Sequence, residues 1–190
     1  MSALHLTLAS ASPRRRELLA RLGVVPDAVV CTDIDETPRK NELPHLYARR
    51  MAREKALAVA APGYALAGDT VVAAGRRILP KADDEATARR CLTLLSGRRH
   101  RVLSAIALRA PDGTLRERLS ETIVRFKVLS EPEIAAYLGG GEWHGKAGGY
   151  AIQGAAESLV QWLQGSHSGV MGLPLYETRA LLKAAGFPIA

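Results

Sequence analysis

Three consecutive arginines, Arg14 to Arg16, follow the stretch Ser-Ala-Ser-Pro close to the start of the chain. Ser12 and Pro13 are typical of a helix N-cap and of the first helical position, so the arginines would lie in the first turn. Cations are unfavourable there by about 0.3–1 kcal/mol each, because the helix end already carries positive charge. A bound polyanion such as a phosphate chain would reverse that cost, and Ser10 could add a hydroxyl donor. The alternative is that the arginines project into solvent.

A lysine interrupts an otherwise apolar helical stripe further along the chain. Ala48, Met51, Ala52 and Val59 recur at helical spacing, with Lys55 among them. A lysine at such a position usually extends its ammonium group to the edge of the helix, and less often it reaches into a cleft toward an anion. The sequence leaves both interpretations open.

A single carboxylate interrupts the apolar, strand-like stretch ALAGDTVVA at residues 65–73. A charge there is unfavourable unless it is paired or bound to a metal. Asp69 could therefore be a general base or a metal ligand at the end of a strand, or else mark a turn or bulge at Gly68. Asp35 and Glu36 offer further oxygens of the kind that Mg²⁺ or Mn²⁺ binds, although the pair alone is more typical of a solvated loop.

A glycine-rich stretch, GKAGGYAIQG, spans residues 145–154. Glycines permit positive φ angles and close approach of the backbone to a ligand. The amide of Gln153 can donate and accept hydrogen bonds together, which suits the edge of a base such as uracil or thymine. An ordinary flexible loop with a surface glutamine is the alternative. The chain contains neither a P-loop nor a Rossmann glycine motif.

Strand-like and helical segments alternate along the chain, and this pattern predicts an α/β fold with a mixed sheet. Ser130 and Glu133 form a capping-box pattern, and Asp83 is placed to cap a helix through Leu95. The remaining predicted helices run from Ser12 to Gly23, from Pro44 to about Ala61 and from Pro174 to Ala185. The predicted strands are His5–Ala9, Val29–Cys31, Tyr64–Gly68, Thr70–Ala74, Val102–Ala110, Leu115–Val128 and Ser158–Leu163.

Length and composition predict one globular domain over residues 1–190, since 47% of the residues are hydrophobic and 24% are charged. The net charge of +7 is compatible with nucleic acid, an acidic membrane surface or a small polyanion, but the aromatic content of 5% disfavours a base-stacking surface. The chain has no apolar run long enough to span a membrane and no signal-like start, which predicts a cytoplasmic protein. Cys31 and Cys91 are expected to be buried free thiols.

Taken together, these segments resemble the Maf (septum formation inhibitor) family of nucleotide pyrophosphatases. Seven stretches occur in the family's order: LASASPRRRELLARLG, DETP, AREKA, GDTVV, LLSGRRHRV, KAGGYAIQG and GLPLYETRALL. The resemblance implies a two-lobed Maf/ITPase-like α/β fold with an elongated mixed β-sheet and a central nucleotide cleft. It also implies hydrolysis of nucleoside triphosphates to the monophosphate and pyrophosphate with a divalent metal, Mg²⁺ or Mn²⁺.

The same resemblance implies roles for individual residues. Asp69 corresponds to the proton acceptor, and Glu36 with Asp69 to the carboxylates that hold the metal. Arg14, Thr70 and Gln153 match positions associated with base selectivity in the subfamily that acts on dTTP and UTP. The substrate-binding residues expected in the cleft are Ser10, Ser12, Arg14, Arg15, Lys55, Thr70, Lys81 and Gln153.

The sequence departs from the family pattern at two places, and two other functions stand as alternatives. Gly68 stands where the family usually has alanine, and Pro80 precedes Lys81 where the family's proline follows the lysine.

The alternative functions are a 7-methyl-GTP pyrophosphatase of the sister subfamily, or a non-catalytic regulator that binds nucleic acid or a division protein. The expected partner is a nucleotide rather than a stably bound nucleic acid or a membrane, and a homodimer is compatible with the family.

Overall fold

The computed structural model describes residues 5–189 and interleaves strands with helices. The strands are β1 (Leu6–Ala9), β2 (Ala28–Val30), β3 (Tyr64–Ala74), β4 (Arg77–Leu79), β5 (Lys81–Ala82), β6 (Arg99–Arg109), β7 (Leu115–Phe126), β8 (Lys146–Ala147) and β9 (Val160–Gln164). The helices are α1 (Pro13–Ala20), α2 (Pro44–Leu57), α3 (Glu85–Leu95), α4 (Glu131–Gly139), α5 (His167–Met171) and α6 (Leu175–Ala184), with a 3₁₀ turn at Ala155–Leu159.

One large mixed sheet organises these elements, in the order β2-β1-β3-β6-β7-β9, with β4 paired to β3. Strand β1 runs parallel to β2 and β3, whereas β3, β6, β7 and β9 pair antiparallel. The central strands are long, with 11, 11 and 12 residues in β3, β6 and β7. A separate ribbon is formed by β5 and β8. The predicted α/β class with an elongated mixed sheet is therefore confirmed.

Hydrophobic clusters cover both faces of the sheet, because successive side chains of a strand point to opposite faces. The even-numbered Leu66 and Val72 of β3 belong to the larger cluster, which also contains residues of α1, α3, α4 and α6. Odd-numbered positions of β3 belong to the smaller cluster, where α2 packs against β3 and β6. This second face is rich in alanine, and the small side chains let the helix lie close to the sheet. The fully buried alanines of β3 and β6 on this face are Ala65, Ala67, Ala73, Ala105 and Ala107.

Several predicted boundaries differ from the structure. The two strands predicted on either side of Asp69 form one continuous strand. Asp69 itself pairs in register with Ala105 of β6, without a bulge. Helix α2 ends at Leu57 rather than near Ala61, because the chain must turn into β3. Gly63 makes that turn with φ +93°, and a Cβ there would lie only 2.4 Å from the carbonyl oxygen of His5.

Helix starts were predicted more accurately than helix ends. Helix α1 starts at Pro13 as predicted, and the capping box of Ser130 and Glu133 is present. Helix α3 is capped by Asp84, which accepts a hydrogen bond from the Thr87 backbone nitrogen at 2.6 Å, so the expectation for Asp83 was wrong by one residue. Side-chain capping depends on spacing to the next free N–H group, and two adjacent aspartates compete for that position.

The two cysteines differ in their environment. Cys91 is buried in the larger cluster, as predicted. Cys31 is exposed, so that prediction was wrong; it directly follows β2, the edge strand of the sheet. Within residues 5–189, none of the helices has the length and apolar character needed to cross a membrane.

Candidate functional site

One cleft of about 400 Å³ gathers the residues that the sequence singled out. It is lined by the end of β1, the start of α1, the loop after β2, helix α2, the middle of β3, strand β5 and the glycine-rich segment before residue 154. All ten predicted site residues line it, namely Ser10, Ser12, Arg14, Arg15, Glu36, Lys55, Asp69, Thr70, Lys81 and Gln153. The chain segments that carry them are separated by up to about 140 residues, and only the fold brings them together.

A chain of alternating charges crosses the cleft. Lys55 Nζ lies 2.8 Å from Asp69 Oδ1 and 2.7 Å from Glu36 Oε1. Lys81 Nζ lies 2.8 Å from Glu36 Oε2. Lys55 and Asp69 are each only 7% exposed, so each neutralises a charge that would otherwise be buried alone. Of the two interpretations of Lys55, the structure supports the one in which it reaches into a cleft toward an anion.

Successive side chains of β3 point to opposite faces of the sheet, and this sets the directions of Asp69 and Thr70. Odd-numbered residues of β3 face α2, so Asp69 points toward the helix on which Lys55 lies. Asp69 sits in the middle of β3, not at its end, because the pairing with Lys55 allows the strand to continue through a charged residue. The neighbouring Thr70 points to the other face of the sheet, where it meets Arg15.

Glu36 is held as an anion by its two lysines. Burial raises the pKa of Glu36, but hydrogen bonds and charge from Lys55 and Lys81 together outweigh it and lower the pKa to about 2. Tyr47 fixes the same loop by donating from its hydroxyl to the Glu36 carbonyl at 2.7 Å. Burial, reinforced by the negative charges of Asp69 and Glu36, raises the pKa of Tyr47 to about 12. The hydroxyl therefore stays protonated and keeps donating at neutral pH.

Arg15 is clamped inside the cleft. Its Nε donates to the Gly172 carbonyl at 2.8 Å, Nη1 to Ser10 Oγ at 3.0 Å and Nη2 to Thr70 Oγ1 at 3.3 Å. Burial lowers the pKa of Arg15, and the nearby charge of Asp69 opposes that shift. The solvent-exposed alternative is therefore wrong for this arginine, whose donors are turned inward by neutral acceptors.

The other residues around the start of α1 differ in their exposure and in their hydrogen bonds. Arg14 is half-buried and lines the cleft, whereas Arg16 is exposed. Ser12 occupies the N-cap position, but its side chain makes no capping hydrogen bond, and its backbone nitrogen donates to Ser10 Oγ at 3.2 Å. The first turn of α1 contains no acidic residue. The positive end of the helix thus remains uncompensated where it borders the cleft, as an anion site requires.

The glycine-rich segment contributes a cation that the sequence reasoning did not assign. Lys146 lines the cleft, where burial and then the charge of Arg14 lower its pKa. It lies on β8, whose pairing with β5 places it on the strand next to Lys81. Gly148, with φ +70°, passes so close to β3 that a Cβ would lie 2.8 Å from Val72. A lysine inside a glycine-rich stretch, directly after Gly145, is the sequence signal that indicates this residue.

Hydrogen bonds of buried aromatic residues anchor the glycine-rich segment at residues 150 and 151. Tyr150 lines the cleft, and its hydroxyl shares a hydrogen bond of 2.8 Å with His100 Nε2. Burial raises the pKa of Tyr150 and lowers that of His100 to about 4, so both groups are neutral at pH 7. The Ala151 backbone nitrogen donates to the Tyr137 hydroxyl at 3.0 Å. These anchors leave Gln153 exposed at the rim of the cleft.

The two departures from the family pattern have structural correlates. A Cβ at position 68 would lie 3.3 Å from Arg15 Nε and 3.3 Å from the Ala105 carbonyl oxygen, so Gly68 leaves room beside the arginine. Lys81 still points into the cleft and binds Glu36, although Pro80 precedes it.

The charge of the cleft is positive, and its carboxylates suit a partly assembled metal site. Five cationic side chains and two carboxylates line it. Across residues 5–189, no group of three or more histidine, cysteine or acidic side chains is arranged to hold a metal. Mg²⁺ commonly binds one or two carboxylates and completes its shell with water and substrate phosphates. Glu36 and Asp69 fit that requirement, since both converge on one ammonium group.

Comparison with known proteins places the chain in a family. Residues 5–185 match the family model described as Maf, Maf-like protein. The chain is 70% identical over 188 residues to a protein of Novosphingobium aromaticivorans named dTTP/UTP pyrophosphatase, covering 97% of this chain and 94% of that one. It is 63% identical over 185 residues to a protein of the same name from Rhodospirillum rubrum, covering 96% and 88%. A HAM1 protein structure from Coxiella burnetii aligns with a TM-score of 0.44 and 17% identity over 65% of this chain and 73% of that one. With the match extending over nearly all of its length, the chain belongs to the Maf family.

Proposed function

We propose that the chain hydrolyses pyrimidine nucleoside triphosphates, dTTP and UTP, to the monophosphate and pyrophosphate. The observation that carries this proposal is the buried pair of Asp69 and Lys55 in a cleft lined by five cations. The names of relatives at 63–70% identity, dTTP/UTP pyrophosphatase, support the same conclusion. A triphosphate brings the negative charge that such a cleft lacks, and Asp69 brings the group that can act on a water molecule.

The triphosphate binds to the cationic side of the cleft in this proposal. Arg14, Arg15, Lys81 and Lys146 line it together with the uncapped start of α1. Arginine forks and a helix N-terminus are suited to phosphate oxygens. The same groups stabilise the negative charge that develops on the departing pyrophosphate, and they need little reorganisation because Arg15 is already held by three hydrogen bonds.

Glu36 and Asp69 are the residues that would hold a divalent cation such as Mg²⁺ or Mn²⁺, with phosphate oxygens and water completing its ligands. When bound, such a cation supplies Lewis-acid polarisation of the phosphate and lowers the pKa of water. Lys55 keeps the two carboxylates together in the free protein by bonding to both.

Asp69 acts as the general base. Its Oδ1 bonds to Lys55, and its Oδ2 has no hydrogen-bond partner within residues 5–189, which leaves this atom for the attacking water. Oδ2 takes one proton from that water while the water oxygen forms a bond to the α-phosphorus. The bond between the α-phosphorus and the bridging oxygen breaks, and this oxygen leaves with the pyrophosphate. The nucleoside monophosphate keeps the oxygen of the water.

Base selectivity is assigned to the rim of the cleft. Gln153 is exposed there, so its amide is free to pair with the polar edge of uracil or thymine. A purine presents a different pattern of donors and acceptors, so its edge would not match this amide and the pairing would discriminate against it. Arg14 and Thr70 complete the proposed selectivity set, Thr70 through its contact with Arg15.

A substrate panel tests the proposal. Release of pyrophosphate is measured from dTTP, UTP, dATP, GTP and 7-methyl-GTP, with Mg²⁺ or Mn²⁺ and with a chelator. We expect dTTP and UTP to be fastest and the chelator to stop the reaction. Equal rates for all triphosphates would remove Gln153 from its role, and preference for 7-methyl-GTP would support the sister subfamily. Salt-sensitive DNA binding without pyrophosphate release would support the non-catalytic alternative.

The catalytic role of Asp69 is tested by Asp69→Asn. We expect kcat for UTP to fall by about 10²–10⁴-fold, the usual contribution of a general base. Nucleotide affinity measured calorimetrically should change little, because the phosphate-binding cations are untouched. Asp112→Asn, in the exposed turn after β6, is the matched control and should retain wild-type turnover. Near-normal pyrophosphate release by Asp69→Asn would refute the assignment.

Residues 1–190 act as one catalytic domain, in the cytoplasm, on a free nucleotide and without a stable nucleic-acid partner. A homodimer is compatible with the reaction, since every residue assigned above comes from one chain.

A further inference from the structure

A chain of hydroxyl groups connects the interior of the sheet with the cleft. Ser104 of β6 is only 1% exposed and pairs in register with Thr70 of β3. Its Oγ lies 2.5 Å from the Gly169 carbonyl oxygen on α5 and 3.0 Å from Thr70 Oγ1. Thr70 Oγ1 in turn lies 3.3 Å from Nη2 of Arg15. Ser104 itself does not line the cleft, so it influences the site through Thr70.

The groups at the two ends of this series of hydrogen bonds, the Gly169 carbonyl oxygen and the Arg15 guanidinium, determine the direction of each bond in it. A carbonyl oxygen only accepts, so Ser104 gives its single hydroxyl hydrogen to Gly169. Ser104 Oγ then accepts from Thr70, which has given away its own hydrogen. Thr70 Oγ1 therefore presents only lone pairs to Arg15, whose guanidinium only donates. Each group has one role, and the orientation of the Thr70 oxygen is set from the core.

The consequence for Arg15 is a fixed guanidinium with two donors left over. Three of its five N–H groups bond to Gly172, Ser10 and Thr70, which leaves one N–H on each terminal nitrogen. The guanidinium also lies beside backbone without side chains, since a Cβ would be 3.3 Å from Nε at Gly68 and 3.8 Å at Gly172. An arginine held in this way loses little side-chain freedom when it binds an anion.

We propose that Ser104 is a positioning residue for substrate binding, which it serves by orienting Thr70 and thereby Arg15. Without its hydroxyl, Thr70 can rotate and donate elsewhere, and Arg15 loses an acceptor of fixed direction. Asp69 lies on the opposite face of β3, so the chemical step should be spared. The proposal rests on the function proposed above, because it needs Arg15 to bind the phosphates of the substrate.

The kinetic test compares Ser104→Ala with Ser120→Ala. Ser120 is the matched control, because it is 6% exposed, lies directly opposite Ser104 on β7 and has no side-chain hydrogen bond among the described residues. We expect Ser104→Ala to raise KM for UTP about 5–10-fold with kcat within twofold, the scale of losing one hydrogen bond between neutral groups. Ser120→Ala should leave both constants unchanged. Thr70→Val removes the hydroxyl through which Ser104 acts on Arg15. Adding Ser104→Ala to Thr70→Val should therefore raise KM no further.

A second readout follows Arg15 without using activity. The Arg15 Nε–H signal in a ¹H–¹⁵N spectrum, assigned by its loss in Arg15→Lys, should exchange slowly with water in the free wild-type protein. We expect exchange at least about tenfold faster in Ser104→Ala, and wild-type behaviour in Ser120→Ala. If Ser104→Ala does not fold, Ser104→Cys, whose thiol is only a weak hydrogen-bond donor, serves in both experiments.

The two proposals fail in different ways. If the wild-type protein releases no pyrophosphate but Ser104→Ala still loosens the Arg15 signal, the proposed function is wrong while the positioning of Arg15 stands. If the wild-type protein is active and Ser104→Ala leaves KM within twofold and the Arg15 signal unchanged, the inference about Ser104 is overturned. A fall in kcat without a rise in KM would also contradict it.

Discussion

Replacing Lys55 by methionine should destabilise the protein much more than replacing its partner Asp69 by asparagine. Both side chains are only 9% exposed, and Lys55 Nζ also bonds Glu36 at 2.7 Å. Methionine continues the apolar stripe of α2 but leaves the Asp69 carboxylate buried without a cation. Asparagine instead removes the charge of Asp69, and Lys55 keeps its bond to Glu36. The two variants therefore break the same pair with unequal consequences.

The magnitudes follow from what each variant leaves behind. Removing one partner of a buried ion pair costs about 3–5 kcal/mol, which is the expected loss of unfolding free energy for Lys55→Met. Asp69→Asn should cost about 1–2 kcal/mol, because the asparagine oxygen can still accept from Lys55 and only the charge of the acceptor is lost. In the double variant Lys55→Met/Asp69→Asn no unpaired charge remains at the site, so it should be more stable than Lys55→Met alone by about 2 kcal/mol.

Urea denaturation followed by the fluorescence of Trp143 and Trp162 measures these differences. With a slope of about 2 kcal/mol per molar urea, Lys55→Met should lower the midpoint by about 1.5–2.5 M. Lys127→Met, which removes a half-exposed partner of Glu133, is the matched control and should cost less than about 1 kcal/mol. If the double variant is less stable than Lys55→Met, the reasoning from an unpaired buried carboxylate is refuted.

Two further predictions concern stability away from the cleft. Burial lowers the pKa of His100 to about 4, below its value of about 6.5 in an unfolded chain. Keeping His100 neutral therefore contributes about 3 kcal/mol of stability above pH 6.5, and this contribution is lost as the pH falls from 6.5 to 4. The urea midpoint should drop less between pH 7 and pH 4 in His100→Gln than in the wild type, and an equal drop would contradict the assignment. Ser130→Ala removes one half of the capping box of α4 and should cost about 1 kcal/mol by the same measurement, whereas an unchanged midpoint would show that the cap contributes nothing.

The candidate site could be predicted because several of its residues conflict with their local pattern. Arginines in the first turn of α1 oppose the helix dipole, and Lys55 interrupts an apolar stripe. Asp69 places a charge inside an apolar strand. Each conflict costs free energy locally, so it indicates a compensating partner elsewhere in the protein. The resemblance to the family then added residues without such a conflict, among them Thr70 and Lys81.

Residues that obey their local pattern were not predicted. Ser104 is an ordinary polar residue in a strand, and Gly172 is an ordinary glycine after a short helix. Their importance comes from the acceptors that they offer or control around Arg15, across more than 150 residues of chain in the case of Gly172. Exposure was misjudged for Cys31 for a related reason, because burial depends on which strand forms the edge of the sheet.

By itself the sequence determined the alternating α/β pattern, the starts of helices and the set of side chains that must find partners, because propensity, capping and periodicity act over a few neighbouring residues. Only the tertiary structure decided which partners they find. The packing of α2 on the odd-numbered face of β3 brings Lys55 to Asp69, and the even-numbered face carries Thr70 to Arg15 and Ser104. Pairing between distant groups depends on which faces meet, and that choice is made by burial of the whole core rather than by any local stretch of chain.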